Sequence, residues 1–227
     1  MEIPKKMTIN LHGGKLPKYR GSSPLNWALI NDEHSFSLSI IKVDPGIDSG
    51  DILFEKTFPI GVNDTIEDLH AIANVEFPAM LVEVLKNIET DFCLPRKQDK
   101  AAASYFPLRF PEDGLVLWDM LTDQQIHNTI RALTNPYPCA YTFFKGRRLK
   151  LIKSALHASA FLGEPGRVYQ HSSDKGLLVA ASNQCLWIKE AIFDDDKTSI
   201  FQSVQRYDSF LTIRNFILSQ QGIKNDK

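Results

Sequence analysis

The stretch from Cys139 to Phe193 places the tightest limit on the fold. It is a succession of short β-branched and aromatic runs: "CAYTFFKG", "RRLKLIKSAL", "GRVYQHS", "GLLVAAS" and "QCLWIKEAIF". Lys145-Gly146, Glu164-Pro165-Gly166 and Asp174-Lys175-Gly176 punctuate them. Glycine supplies the positive φ of tight turns and proline presets the turn's first φ. Five short strands at this spacing suggest a small β-barrel, and an OB-like barrel is the expected architecture. "SFLTIRNFILSQQG" reads as a helix that closes it.

Upstream the period changes, and an α/β pattern is expected. "MTINLH" alternates as a strand ending near His12, and "GGKLPKYRGSS" reads as loop. "SPLNWALIN" predicts a short helix with Ser23 as N-cap and Pro24 at the first helical position. Phe36 to Val43 and "ILFEKTFPI" read as two strands of a hairpin around "DPGIDSGD". A longer helix is expected from about Asp64 to Glu89, with Thr65 and Asp68 as a capping box. Its apolar face would hold Ile66, Leu69, Ile72 and Ala73, then Leu81, Val84, Leu85 and Ile88, and Pro78 should kink or split it. "DFCLPRKQDKAAASYFP" loses periodicity and gains charge, as a linker does. "TDQQIHNTIRALTN" is an amphipathic helix capped by Thr122 or Asp123 and stopped by "NPYP". The expected organisation is residues 1–104, a linker and helix over 105–136, and a barrel with its helix over 137–227.

The 227 residues, 43% hydrophobic and 23% charged, suffice for a real core and argue against disorder. A net charge of −1 gives no global attraction to nucleic acid or membrane. No apolar run approaches the roughly 20 residues of a membrane span. Cys93, Cys139 and Cys185 are odd in number and far apart, without a CxxC pair. That argues against a zinc site or a disulfide framework and fits free thiols in a reducing cytoplasm.

The chemistry concentrates in "INLHGGKLPKYRG", Ile9 to Gly21. Asn10 and His12 stand two apart on a predicted strand, so both side chains share one face. A neutral His serves as a base near neutral pH, and an Asn amide donates to a developing oxyanion. The turn "DPGIDSGD" offers Asp44, Asp48 and Asp51 near another strand end. An Asp close to His12 would orient the ring or shuttle its protons. Asn, His and Asp without a side-chain nucleophile suit an amine attacking an activated acyl donor. Lys15, Lys18 and Arg20 would attract a phosphate-bearing substrate. Taken singly, each feature also fits a bland role: a structural His, turn-forming acids, a solvated basic loop.

Together, "INLHGGKLPKYRGSSPLNWALIN" and "VDPGIDSGDIL" resemble the folate-dependent formyltransferases. Members carry Asn-x-His, a small-residue loop ending in Leu-Pro-x-Tyr-Arg-Gly, and a later Leu/Ile-Asp-x-Gly. They transfer formyl from 10-formyltetrahydrofolate to an amine. The resemblance implies that Asn10 stabilises the tetrahedral oxyanion, that His12 helps polarise the formyl group and handles protons, and that Asp48 is the proton-relay carboxylate. Asp51 matches a family position other than the catalytic one. The backbone of Val43, Asp44 and Pro45 falls where the family's loop contacts the pterin. "SYFP…WD…IRAL" followed by short strands is similar to the family's linker and OB-like C-terminal domain.

Gly-Lys-Leu-Pro with Leu-Asn-Trp-Ala-Leu looks more like the sugar-nucleotide N-formyltransferases than the methionyl-tRNA enzymes. An amino-deoxysugar nucleotide is therefore the expected acceptor and methionyl-tRNA the alternative. A tRNA partner calls for a basic surface, and Lys145 to Lys153 is the one candidate, which also reads as the solvent face of a strand. The family's fold begins with a Rossmann-like half, yet only nine residues precede Asn10 here. By that resemblance the chain corresponds to a partial Rossmann-like core followed by the OB-like domain. "MEIPKKM" then reads as an internal stretch. An open sheet edge beside Asn10 would favour pairing with another chain or a second copy. The expectation is a chain that alone binds folate poorly and is weakly active or inactive. A non-catalytic remnant and an RNA-binding protein using the OB-like half are the competing readings.

Overall fold

In the computed structural model, which describes residues 4–90, 92 and 94–220, the expected hairpin forms the middle of the first of two compact units, residues 1–109 and 110–227. Cys93 lies outside the described residues. The first unit runs β1 (Ile9–His12), β2 (Arg20–Gly21), α1 (Pro24–Ile30), β3 (Ser35–Lys42), β4 (Ile52–Pro59), α2 (Ile66–Glu89) and β5 (Tyr105–Phe106).

β3 is the central strand, flanked by β1 and β4. Its Phe36, Leu38, Ile40 and Ile41 are at most 2% exposed, the apolar run expected of a strand covered on both faces. The two serines buried among them are satisfied: Ser37 Oγ lies 2.9 Å from Thr57 Oγ1, and Ser39 Oγ donates to the Gly14 carbonyl at 3.0 Å. Both pairings are antiparallel, with Asn10 opposite Ile41 and His12 opposite Ser39. The parallel strands that the resemblance implies belong to the half expected ahead of Asn10, and the described strands of this sheet pair antiparallel. The short turn between β3 and β4 permits only a hairpin, and parallel pairing needs a long crossover. The parallel pair that does occur is β2 with β5, two residues each.

α2 continues through Pro78 instead of splitting. Ile66, Leu69, Ala73, Met80, Val84 and Ile88 form one stripe of period near 3.6, buried at 9% exposure or less. Pro78 and Asn74, whose carbonyl loses its i+4 donor, are exposed, so the unmade bond leaves no buried polar group. The stripe also takes Met80 in place of the expected Leu81 and leaves Leu85 46% exposed. Asp68 Oδ2 accepts from Thr65 N–H at 2.8 Å and from the Thr65 hydroxyl at 2.7 Å, as the capping pattern implied. Ser23 precedes α1 in a left-handed conformation (φ 54°), and its side chain caps nothing. The charged, aperiodic stretch after α2 folds back onto the first unit. Arg96 exchanges both backbone bonds with Ile52 at 2.8 Å, and Tyr105 pairs with Arg20.

The second unit contains α3 (Asp123–Leu133), β6 (Ala140–Phe144), β7 (Arg147–Leu156), β8 (Val168–Ser172), β9 (Gly176–Ala180), β10 (Cys185–Phe193) and α4 (Ile213–Gln220). The five strands form an antiparallel sheet ordered β6-β7-β10-β9-β8. No pairing between β6 and β8 closes it among the described residues. Thr122 caps α3 through Gln125 N–H, and Ile126 and Ile130, at most 1% exposed, turn inward where α3 packs on β7. Buried Trp118 donates to Thr142 Oγ1 at 3.0 Å and stacks on Phe210. No helix among the described residues is long and apolar enough to cross a membrane.

Candidate active site

Asn10 and His12 reach the same carboxylate. Period-2 alternation along β1 puts both side chains on the face toward the β3–β4 turn, where Asp48 sits with φ 49°, a left-handed conformation that Asp tolerates better than most residues. Asn10 Nδ2 donates to Asp48 Oδ1 at 3.3 Å, and His12 Nδ1 lies 3.5 Å from Asp48 Oδ2. The Gly21 amide donates to the same Oδ2 at 2.8 Å. His12 Nε2 is 2.7 Å from the Tyr19 carbonyl. A carbonyl only accepts, so Nε2 carries a proton and Nδ1 is the atom left to exchange one with Asp48. His12 is 5% exposed while Asn10 is open to solvent. Of the three side chains, Asn10 is the one open to solvent, and His12 lies beneath it.

Two glycines of the loop are required by this packing. A Cβ at Gly14 would lie 2.5 Å from His12 Nε2 and 2.6 Å from the Tyr19 carbonyl, inside the very contact that anchors the ring. Gly21 has φ 96°, and a Cβ there would meet the Phe106 carbonyl at 2.3 Å. Tyr19 itself is buried, stacks on Phe106 at 4.7 Å between ring centroids and donates its hydroxyl to Glu33 at 2.7 Å. Burial first, then that carboxylate, pushes its phenol up to about 12.

Arg20, expected to meet the substrate, is 2% exposed and engaged within the fold. Its Nε and Nη2 donate to Gln98 Oε1 at 3.1 and 2.7 Å, and Nη1 donates to the Tyr105 hydroxyl at 2.8 Å. Gln98 Nε2 in turn donates to the carbonyls of Asp48 and Gly50 at 2.8 and 2.6 Å. Lys15 is exposed and carries no ion pair among the described residues. Val43, Asp44 and Pro45 begin the turn that ends at Asp48 and are exposed. Asp44 Oδ1 tightens the turn by accepting from Gly46 N–H at 3.0 Å and Ser49 Oγ at 2.6 Å. Gln98 and the backbone of Tyr19 and Gly21 are functional parts that sequence reasoning missed. A lone Gln in a charged, aperiodic stretch carries no mark. The glycine of "YRG" was the one available signal, since an obligate positive φ requires it.

Comparison with known proteins agrees with this geometry. The profile described as "Formyl transferase" matches residues 1–85, and "Formyl transferase, C-terminal domain" matches residues 110–205. The chain belongs to the formyltransferase family. A methionyl-tRNA formyltransferase of Citrifermentans bemidjiense is 34% identical over 197 residues, 87% of this chain and 60% of that protein. The chain spans about three fifths of the length of the curated relatives it matches. Among solved formyltransferase structures, that of WlaRD, a sugar 3N-formyl transferase crystallised in the presence of dTDP and 5-N-formyl-THF, is 25% identical with TM-score 0.63, covering 83% of this chain and 65% of that one. HypX from Aquifex aeolicus shares the fold at 21% identity and TM-score 0.65, covering 100% of this chain and 40% of that one.

The basic surface read from the sequence lies on the second unit. The basic run of β7 is met by an acidic turn after β10. Arg147 binds Asp195 and Asp196 at 2.6 and 2.7 Å, and Lys150 and Arg148 lie 3.0 and 3.8 Å from Asp194. Hydrogen bonds from Lys197 and Lys150 hold the Asp194 carboxyl down at about 2, so it stays ionised at neutral pH. Arg147, Arg148 and Lys150 of the stripe are thus paired with acids, while Lys153 stays exposed.

Proposed function

We propose that this chain carries the amine-formylating centre of a formyltransferase, with 10-formyltetrahydrofolate as donor. The convergence of Asn10, His12 and Asp48 carries the reading. The incoming amine nitrogen bonds to the formyl carbon and the carbonyl oxygen becomes an oxyanion, to which the second N–H of Asn10 donates. Collapse breaks the carbon–nitrogen bond to the folate. The proton lost by the amine passes to Asp48 and is returned to the departing folate nitrogen, with His12 Nδ1 sharing it. The exposed backbone of Val43, Asp44 and Pro45 is the proposed contact for the pterin. The second unit is proposed to be the family's OB-like barrel, in keeping with its five antiparallel strands and the C-terminal profile. Free Cys139 and Cys185 accord with a cytoplasmic setting.

The proposed acceptor is an amino-deoxysugar nucleotide. The likeness to WlaRD supports it, exposed Lys15 offers a cation to the diphosphate, and three of the four basic side chains of β7 are already paired with acids rather than open to an RNA backbone. Methionyl-tRNA is the second reading, favoured by the 34% identity to enzymes of that name. Incubation with 10-formyltetrahydrofolate and each acceptor, with mass detection of the formylated product, tests both. The sugar reading expects product from the aminosugar nucleotide and none from methionyl-tRNA. The converse selects the second reading, and product from neither acceptor selects the non-catalytic remnant.

A further inference from the structure

We infer that Arg20 and Gln98 form a buried strut that holds Asp48 in its working position; the inference rests on the formyl-transfer reading for its catalytic consequence but not for its geometry. Asp48 lies in the turn between β3 and β4, with a left-handed backbone that an unsupported turn would leave readily. On its own turn Asp44 braces Gly46 and Ser49, not Asp48 itself. What fixes its carbonyl is Gln98, 50 residues downstream, whose Nε2 spans the carbonyls of Asp48 and Gly50 at 2.8 and 2.6 Å. An amide can present both hydrogens to those carbonyls only if its oxygen is turned away and satisfied. Arg20 does this with two N–H groups on one oxygen, at 3.1 and 2.7 Å. Its third donor reaches the Tyr105 hydroxyl, and its guanidinium carbon lies 5.5 Å from that ring's centroid. Gln98 is 9% exposed, so these bonds compete little with water, and an unmade one would leave a buried polar group unpaired.

The strut closes on itself. Arg20 heads β2, and its neighbour Gly21 sends the amide that grips Asp48 Oδ2. Tyr105, at the far end, pairs in register with Arg20 through β5. One side of the loop thus fixes the carboxylate of Asp48 from Gly21 while the other fixes its backbone through Gln98. The same arginine positions both. Arg20 and Gln98 touch neither reacting atom and act only through Asp48, as positioning residues.

Two variants separate this role from general packing. Gln98→Glu keeps an oxygen for Arg20 but replaces the donor with a carboxylate oxygen facing the two carbonyls. Gln98→Leu removes both functions at similar volume. The readout independent of turnover is hydrogen exchange at the Gly21 amide, whose acceptor is the Asp48 carboxylate. Exchange there should rise at least about tenfold in both variants, with the β3–β4 ladder amides unchanged. In the formyl-transfer assay kcat should fall about 100-fold, as expected for a displaced reacting group, with KM for the amine altered less than about twofold. Unchanged Gly21 protection overturns the strut even where activity is lost. Protection lost evenly across the ladder also overturns it, because the pair is then simply part of the core. Faster Gly21 exchange in a protein whose parent shows no formyl transfer upholds the strut and counts against the formyl-transfer reading alone.

Discussion

Asp48 accepts from Asn10 and Gly21 and faces His12, and each donor comes from the first 21 residues. A short carboxylate reached from three sides is held more narrowly than any one bond could hold it. The Tyr19 carbonyl adds a further constraint, because it fixes which nitrogen of His12 keeps its proton. Tyr19 also supplies a pH signature. Its phenol is raised from 10.0 to about 12, so between those values the native protein retains a proton that the unfolded chain has lost. The contribution is complete below pH 10 and disappears as pH rises toward 12, a loss of up to about 2 kcal/mol. Urea midpoints measured from pH 9 to 12 should fall more steeply in the parent than in Tyr19→Phe. That Asn10 and His12 share one face was legible in their spacing, whereas Asp48 stood level with Asp44 and Asp51 until the family resemblance singled it out. Arg20 misled for an equally physical reason: a basic side chain in a polar loop looks solvated, and only the tertiary partner Gln98 shows that it is buried.

At the scale of elements, the hairpin β3–β4, the caps of α2 and α3 and the five strands of the second unit follow from local patterns. Those patterns reside in residues two to four apart, which sequence displays directly. What was illegible depends on distant partners. The antiparallel pairing of β1 with β3 joins segments about 30 residues apart, and the stretch after α2, read as linker, returns to bridge Ile52 and to place Gln98. Pro78 gave the right chemistry and the wrong outcome, since its unpaired turn faces water. Exposed and mid-helix, it should still weaken α2. Pro78→Ala should raise stability by about 1 kcal/mol or more, seen as a higher denaturation midpoint with formyl transfer unaffected.

At the scale of the molecule, composition and net charge spoke to solubility and partner class, and the structure adds where charges meet. The acidic turn Asp194 to Asp196 offsets much of the basic stripe of β7. Replacing all three acids with Asn should uncover that stripe. Binding to a tRNA-sized RNA at low salt should then tighten at least about tenfold, with a steeper salt dependence. Unaltered binding would mean that the stripe is not a masked polyanion surface. The central claim is that Asn10, His12 and Asp48 act as one formyl-transfer centre, and the rate of formyl transfer in Asp48→Asn against the parent tests it most directly. The isosteric amide keeps the turn but cannot carry the proton. However slow the parent, the account predicts a rate about 100-fold lower in the variant. Equal rates would contradict it, and a folded parent that transfers formyl to neither amine selects the non-catalytic remnant instead.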